Sequence, residues 1–136
     1  MQPALTILHI EDDPATRLLV QELLADGSAA LGERSEIRWL EASSFDEAVT
    51  EHGADHADAV LLDNRLGALD GVELIGRVRL NWNCPVWLLT GLPTEELLDR
   101  SSRLGASGLI GKDQMLENPK RVLSLLIESL ARRSKS

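Results

Sequence analysis

The chain has 136 residues, 43% of them apolar and 26% charged, with three Trp, one Phe and no Tyr. That is enough for one domain whose core must be built from Leu, Ile, Val and Ala. A net charge of −8 argues against a nucleic-acid-binding surface, which needs a basic stripe. The single cysteine, Cys84, excludes an internal disulfide and suits a reducing compartment.

The first apolar run, Leu5 to Ile10, is rich in β-formers and ends in Glu11-Asp12-Asp13-Pro14. Carboxylates followed by proline start a helix well, because proline tolerates the first turn and the dipole there favours negative charge. Ala15 to Ala25 reads as that helix, with Ala15, Leu19 and Leu23 stacked and Leu18 beside them. Asp26-Gly27-Ser28 is expected to stop it, and 27–35 to form a loop. Glu36 to Ala42 is a second strand with Ile37, Trp39 and Glu41 on one face. Ser44 and Glu47 are spaced as a capping box ahead of a short helix to about His52.

Asp58 to Leu62 is a third strand, apolar from Ala59 onward, as expected where both sheet faces are covered; it ends on Asp63. Asn64 to Leu69 is a loop, and Asp70 starts a helix through Val72, Leu74, Ile75 and Val78. Pro85 to Leu89 is a fourth strand, ending at Thr90-Gly91. Pro93-Thr94-Glu95-Glu96 starts a helix that Gly105 terminates. Gly108 to Gly111 is a fifth strand ending at Lys112, and Asn118-Pro119 opens the last helix.

Five β-α units in strict alternation imply a doubly wound α/β domain: a parallel sheet, helices on both faces, right-handed crossovers. The working site of such a sheet lies beyond the carboxyl ends of its strands. Glu11, Asp12, Asp63, Thr90 and Lys112 all occupy such ends. Each alone has an ordinary role as a cap, a turn residue, a strand-end hydroxyl or a surface lysine. Together they form a constellation. Carboxylates within about 4 Å repel by roughly 4 kcal/mol per pair at an effective dielectric near 20. A hard divalent cation with oxygen ligands offsets this, and Mg²⁺ fits, with Mn²⁺ as a substitute. Asp63 can then act as a nucleophile on phosphorus, while Lys112 and Thr90 hold phosphate oxygens. His9 is expected to be packed, and His52 and His56 solvated; no spacing suggests a zinc site or a glycine-rich phosphate loop.

The chain resembles the receiver domain of a two-component response regulator, of the single-domain, chemotaxis-regulator-like kind, from about Leu5 to Leu130. The resemblance is carried by Ile10-Glu11-Asp12-Asp13-Pro14, by Asp63 to Gly71 with its Asp70-Gly71, by Val86 to Gly91, and by Gly105 to Lys112. It implies a (βα)5 flavodoxin-like three-layer sandwich with strand order 2-1-3-4-5. It further implies a single domain over 1–136 with a core at about 4–131 and a tail at 132–136. By the resemblance, Asp63 takes phosphate from a sensor histidine kinase or phosphotransfer protein. Asp12, Glu11, Asp63 and the Arg65 backbone carbonyl hold Mg²⁺, and Thr90 and Lys112 read the phosphate. Thr90 and position 109 form the switch. The domain promotes its own phosphotransfer and slow dephosphorylation but is not otherwise an enzyme.

Three departures stand out. Gly67 replaces the usual proline and is expected to loosen the loop. Asp113 follows the lysine in place of a common proline. Leu109 stands where the family commonly has a switch Tyr, Phe or His. Output is expected through protein contact, and the fourth-helix, fifth-strand, fifth-helix face is also a candidate for homodimerisation. The cytoplasm is the expected location, with no membrane or nucleic-acid partner. A phosphorylation-independent adaptor of the same fold is the alternative, and a small hydrolase the least favoured reading.

Overall fold

The structure, a computed structural model, describes residues 5–31 and 37–134. Its elements in chain order are β1 (Leu5–Ile10), α1 (Pro14–Leu31), β2 (Ile37–Ala42), α2 (Phe45–His52) and β3 (Ala59–Asp63). A two-residue ladder comes next, β4 (Arg65–Leu66) with β5 (Leu69–Asp70), then a 3₁₀ turn over Gly71–Leu74 and α3 (Ile75–Trp82). β6 (Val86–Thr90), α4 (Glu95–Arg103), β7 (Gly108–Gly111), α5 (Lys112–Glu117) and α6 (Pro119–Ser134) complete it.

The main sheet has the order β2-β1-β3-β6-β7, with every pairing parallel. Counting only its strands, this is the expected 2-1-3-4-5 order. All residues of β1, β3 and β6 are buried, as near-continuous apolar strands require when helices cover both faces. One face carries Ile7, Leu61, Trp87, Leu89 and Ile110 against Val20 and Leu24 of α1, Met115 of α5, and Val122, Leu123 and Leu126 of α6. The other carries Leu8, Ile10, Val60, Leu62, Val86 and Leu88 against Ala48 of α2, Ile75, Val78 and Trp82 of α3, and Leu97 of α4.

Local chemistry sets the helix starts. The Asp13 carboxylate accepts from the Thr16 backbone N–H and hydroxyl at 3.3 and 2.5 Å, which caps α1 and holds the Asp13 carboxyl below its usual range. Ser44 Oγ accepts from Glu47 N at 3.1 Å, and Glu47 Oε1 accepts from Ser43 N at 3.2 Å. The capping box is therefore present, with its return bond displaced by one residue. Thr94 caps α4 in the same way, accepting from Leu97 N at 3.1 Å, and Asn118 Oδ1 accepts from Arg121 N at 3.2 Å at the start of α6.

Several expectations need correction. α1 runs through Gly27 and Ser28 to Leu31, so the stop at Asp26-Gly27-Ser28 fails; 32–36 lie outside the described residues. One glycine costs a helix about 1 kcal/mol, and the Ala29-Ala30-Leu31 beyond it favours continuation. The inward stripe of α1 is Val20 and Leu24, both buried, while Leu18 and Leu19 are exposed. Apolar residues wrap more than half of this helix, so periodicity alone selects the wrong stripe. The 64–69 loop contains the β4–β5 ladder, and α6 continues through Ser134, into the stretch expected as tail. His52 is not simply solvated. Its ring nitrogens lie 3.0 Å from Asp55 Oδ2 and 3.0 Å from the Glu41 carbonyl, and its own carbonyl accepts from Trp82 Nε1. His56 is 71% exposed, as expected, and His9 is fully buried.

Candidate functional site

The parallel sheet brings the carboxyl ends of β1, β3, β6 and β7 to one edge. Glu11 and Asp12 leave β1, Asp63 closes β3, Thr90 closes β6, and Lys112 succeeds β7 as the first residue of α5. Glu11 and Asp63 are each 2% exposed and Thr90 6%. Carboxylate oxygens of Glu11, Asp12 and Asp63 lie within 4.8 Å of one another. Lys112 Nζ stands 3.1 Å from Asp63 Oδ1 and 3.7 Å from Glu11 Oε1. An open cleft of about 460 Å³ is lined by Asp63, Asn64, Arg65, Thr90, Gly91, Leu92, Thr94 and Lys112.

Two buried negative charges and one ammonium do not balance. Among the described residues no donor reaches Glu11 Oε1 or Asp63 Oδ1 in hydrogen-bond geometry, although Lys112 faces both as an ion pair. Burial, then repulsion from Asp63, pushes the Glu11 carboxyl up to about 7. Burial also raises Asp63, against the pull of Lys112. Burial acts to lower the Lys112 ammonium, but the Asp63 and Glu11 carboxylates outweigh it and hold its pKa above the ordinary value. Buried carboxylate oxygens without donors, clustered with the exposed carboxylate of Asp12, are a donor set for a hard divalent cation. Lys112 and the Thr90 hydroxyl at the same cleft suit an oxyanion.

A family model described as the response regulator receiver domain matches residues 7–123. The chain belongs to this family. Structures of similar fold include the signal receiver domain of a DNA-binding response regulator from Colwellia psychrerythraea 34H, at 24% identity and a TM-score of 0.71, covering 90% of this chain and 98% of that one. The response regulator domain of CheB from Thermotoga maritima is similar at 15% identity and a TM-score of 0.77, covering 94% and 97%. A response regulator from Burkholderia pseudomallei, with a phosphorylated aspartic acid, calcium ion and citrate, is similar at 21% identity and a TM-score of 0.71, covering 96% and 71%. No curated protein matches the sequence.

Within this receiver domain, backbone groups hold the acidic residues in ways sequence does not display. Arg65 N donates to Asp63 Oδ2 at 3.3 Å, Gly67 N to Asp12 Oδ2 at 2.9 Å, and Asp13 N to Glu11 Oε2 at 3.3 Å. Gly67 sits at φ 62°, a left-handed conformation that suits glycine. The expected loosening at Gly67 is thus not what the structure shows: its N–H, which a proline would lack, ties the loop to Asp12. Asn64 clamps the other end of that loop. Its Oδ1 accepts from Val72 N at 3.1 Å and its carbonyl from Gly71 N at 2.6 Å. A Cβ at Gly71 would collide with the Asp63 carbonyl, so glycine is required there by close approach.

Thr90 Oγ1 accepts from Leu92 N at 3.1 Å, which leaves its proton free to donate into the cleft. Leu109 does not line the Asp63 cleft. Like Leu97 and Ala106, it is partly buried against the core on the face that α2 and α3 cover, and it borders a shallow groove with Pro93, Leu98 and Gln114. Arg17 also escapes sequence reasoning: its Nη1 donates to the Glu11 carbonyl at 2.6 Å. The only sequence signal is a cation in the first turns of a helix that begins at an acidic cluster.

Proposed function

We propose that Asp63 is the phosphoacceptor of this receiver domain, taking a phosphoryl group from a histidine kinase or phosphotransfer protein in a Mg²⁺-dependent step. The observation that carries this reading is the buried Asp63 carboxylate, 3.1 Å from Lys112 Nζ and clustered with Glu11 and Asp12. Asp12, Glu11, Asp63 and the Arg65 carbonyl would hold the ion. When bound, Mg²⁺ supplies positive charge that offsets the carboxylates and the incoming phosphoryl oxygens. The structural relative that carries both a phosphorylated aspartic acid and a calcium ion is consistent with an oxygen-ligand site beside an acceptor of this type.

The chain's own residues do the rest. An Asp63 carboxylate oxygen forms the new P–O bond as the P–N bond to the donor imidazole breaks, and that nitrogen leaves with the electron pair. Lys112 holds one phosphoryl oxygen and the Thr90 hydroxyl donates to another, so charge that builds during transfer meets groups already in place. The resulting phosphate biases Thr90, and through β6 and the α4–β7 side that includes Leu109, the surface offered to a protein partner.

The test uses acetyl phosphate, with Mg²⁺ or with EDTA, and then intact-mass measurement. Wild type should gain one phosphoryl group only with Mg²⁺, and Asp63→Asn should gain none. Equal gain by both proteins removes Asp63 from this role.

A further inference from the structure

Among the described residues, Arg17 is a largely buried cation beside the acidic site whose closest contact is with backbone rather than with a carboxylate of the cluster. Its side chain is 17% exposed, unusual for a residue type that mostly lies in solvent. Nη1 donates to the Glu11 carbonyl at 2.6 Å and lies 3.5 Å from Ser43 Oγ, while Nε is 3.9 Å from Glu41 Oε1. Glu41 is itself held by Gln21 Nε2 at 2.5 Å. The Glu11 N–H is taken by the Ala42 carbonyl at 2.9 Å. Glu11 is thus fixed on one side by β2 and on the other by α1.

We propose that Arg17 is a positioning residue for the acidic site: by holding the Glu11 carbonyl it fixes the peptide joining Glu11 to Asp12, and with it where both carboxylates point. The inference rests on the metal-site reading above. The carbonyl that Arg17 holds belongs to the same planar unit as the Asp12 amide, so rotation of that unit would move both candidate ligands at once. A forked guanidinium can reach the carbonyl, the Ser43 hydroxyl and the Glu41 carboxylate together; a lysine ammonium on its flexible stem has no such preset fork.

Positioning and bare charge predict opposite signs. A cation close to an acidic site opposes a second cation. If charge alone mattered, removing Arg17 would tighten Mg²⁺ binding. If Arg17 orients the ligands, removing it weakens binding, and groups that orient metal ligands typically contribute about ten- to a hundred-fold in affinity.

The experiment is calorimetric titration of Mg²⁺ into wild type, Arg17→Met, Arg17→Lys and Asp12→Asn, with folding checked by circular dichroism in EDTA. The expected result is about ten-fold weaker binding in both Arg17 variants. It is accompanied by a shift of the Asp12 amide ¹⁵N resonance, whose peptide loses a charged donor. Wild-type or tighter affinity in Arg17→Met, or full retention in Arg17→Lys, overturns the positioning role while leaving the metal site standing. If Arg17→Met does not fold, Arg17→Lys alone decides between the same outcomes. A wild type that takes up no Mg²⁺ overturns the metal-site reading and this inference with it.

Discussion

The charge imbalance at the site makes a specific prediction for stability against pH without metal. Glu11 is raised by burial and by Asp63 from 4.5 to about 7. Its contribution to stability is therefore fully present below 4.5 and lost as pH rises through about 7. His9 is lowered by burial, then by Arg17 and Lys112, from 6.5 to about 3. Its contribution is present above 6.5 and lost as pH falls toward 3. Between 4.5 and 6.5 the folded state thus holds one more proton than the unfolded chain at Glu11 and one fewer at His9. At about 1.4 kcal/mol per pH unit, each slope amounts to about 3 kcal/mol over that window, with opposite signs. Asp63, also raised, acts in the same sense as Glu11. Wild type should accordingly show a flat or falling profile. Glu11→Gln removes the Glu11 slope and leaves His9 opposed by Asp63 alone, so its stability should climb by about 3 kcal/mol from pH 4.5 to 6.5 relative to wild type. Urea unfolding in EDTA at half-unit steps measures this. Adding Mg²⁺ at about a hundred times its dissociation constant should stabilise wild type by about 2.7 kcal/mol at pH 8, and by less at pH 5, where a proton occupies the Glu11 carboxyl and competes with the ion. Parallel profiles for wild type and Glu11→Gln would refute the argument that Glu11 is a buried, repelled carboxylate.

Further consequences arise from single contacts. Lys112→Met leaves Asp63 and Glu11 facing each other without their ammonium, and should cost about 1–2 kcal/mol at pH 8 and less at pH 5, read by urea unfolding; Lys112 is partly exposed, which keeps the figure below that of a fully buried pair. Gly67→Pro removes the donor to Asp12 Oδ2 and cannot adopt φ 62°, so it should weaken Mg²⁺ binding in calorimetry, whereas Gly67→Asn, which keeps the N–H and tolerates that conformation, should bind nearly as wild type. In wild type the Gly67 amide proton should respond in NMR to Asp12→Asn; no response would show that the bond is not made. Gly71→Ala drives a Cβ against the Asp63 carbonyl and should destabilise by about 1–3 kcal/mol in thermal or urea unfolding, with slower phosphorylation of the fraction that remains folded.

The fold is legible in the sequence because the signals agree at every level. Near-continuous apolar runs at Leu5–Ile10, Ala59–Leu62 and Val86–Leu89 could only be buried strands, and Ser44, Thr94 and Asn118 sit where their helices begin. Asp63, Thr90, Lys112, Glu11 and Asp12 are legible for the same reason: a parallel sheet gathers at one edge the residues at the carboxyl ends of its strands. The misreadings arise where two cues compete. Gly27 signals a stop but precedes strong helix formers, and α1 presents more apolar residues than one face can bury. Backbone chemistry stays hidden. The bonds from Gly67 and Arg65 N–H to carboxylates, and from Arg17 to a carbonyl, depend on which way peptides point, and no side-chain pattern encodes that.

Whether the Asp63 carboxylate itself carries the phosphoryl group can be measured by chemical trapping. The protein is phosphorylated with acetyl phosphate and Mg²⁺, the acyl phosphate is reduced with borohydride, and the product is mapped by peptide sequencing in a mass spectrometer. Homoserine is expected at position 63, with Glu11, Asp12 and Asp13 unmodified. Reduction at any other carboxylate with position 63 intact, or a phosphorylated product that borohydride leaves unchanged, would show that Asp63 is not the acceptor.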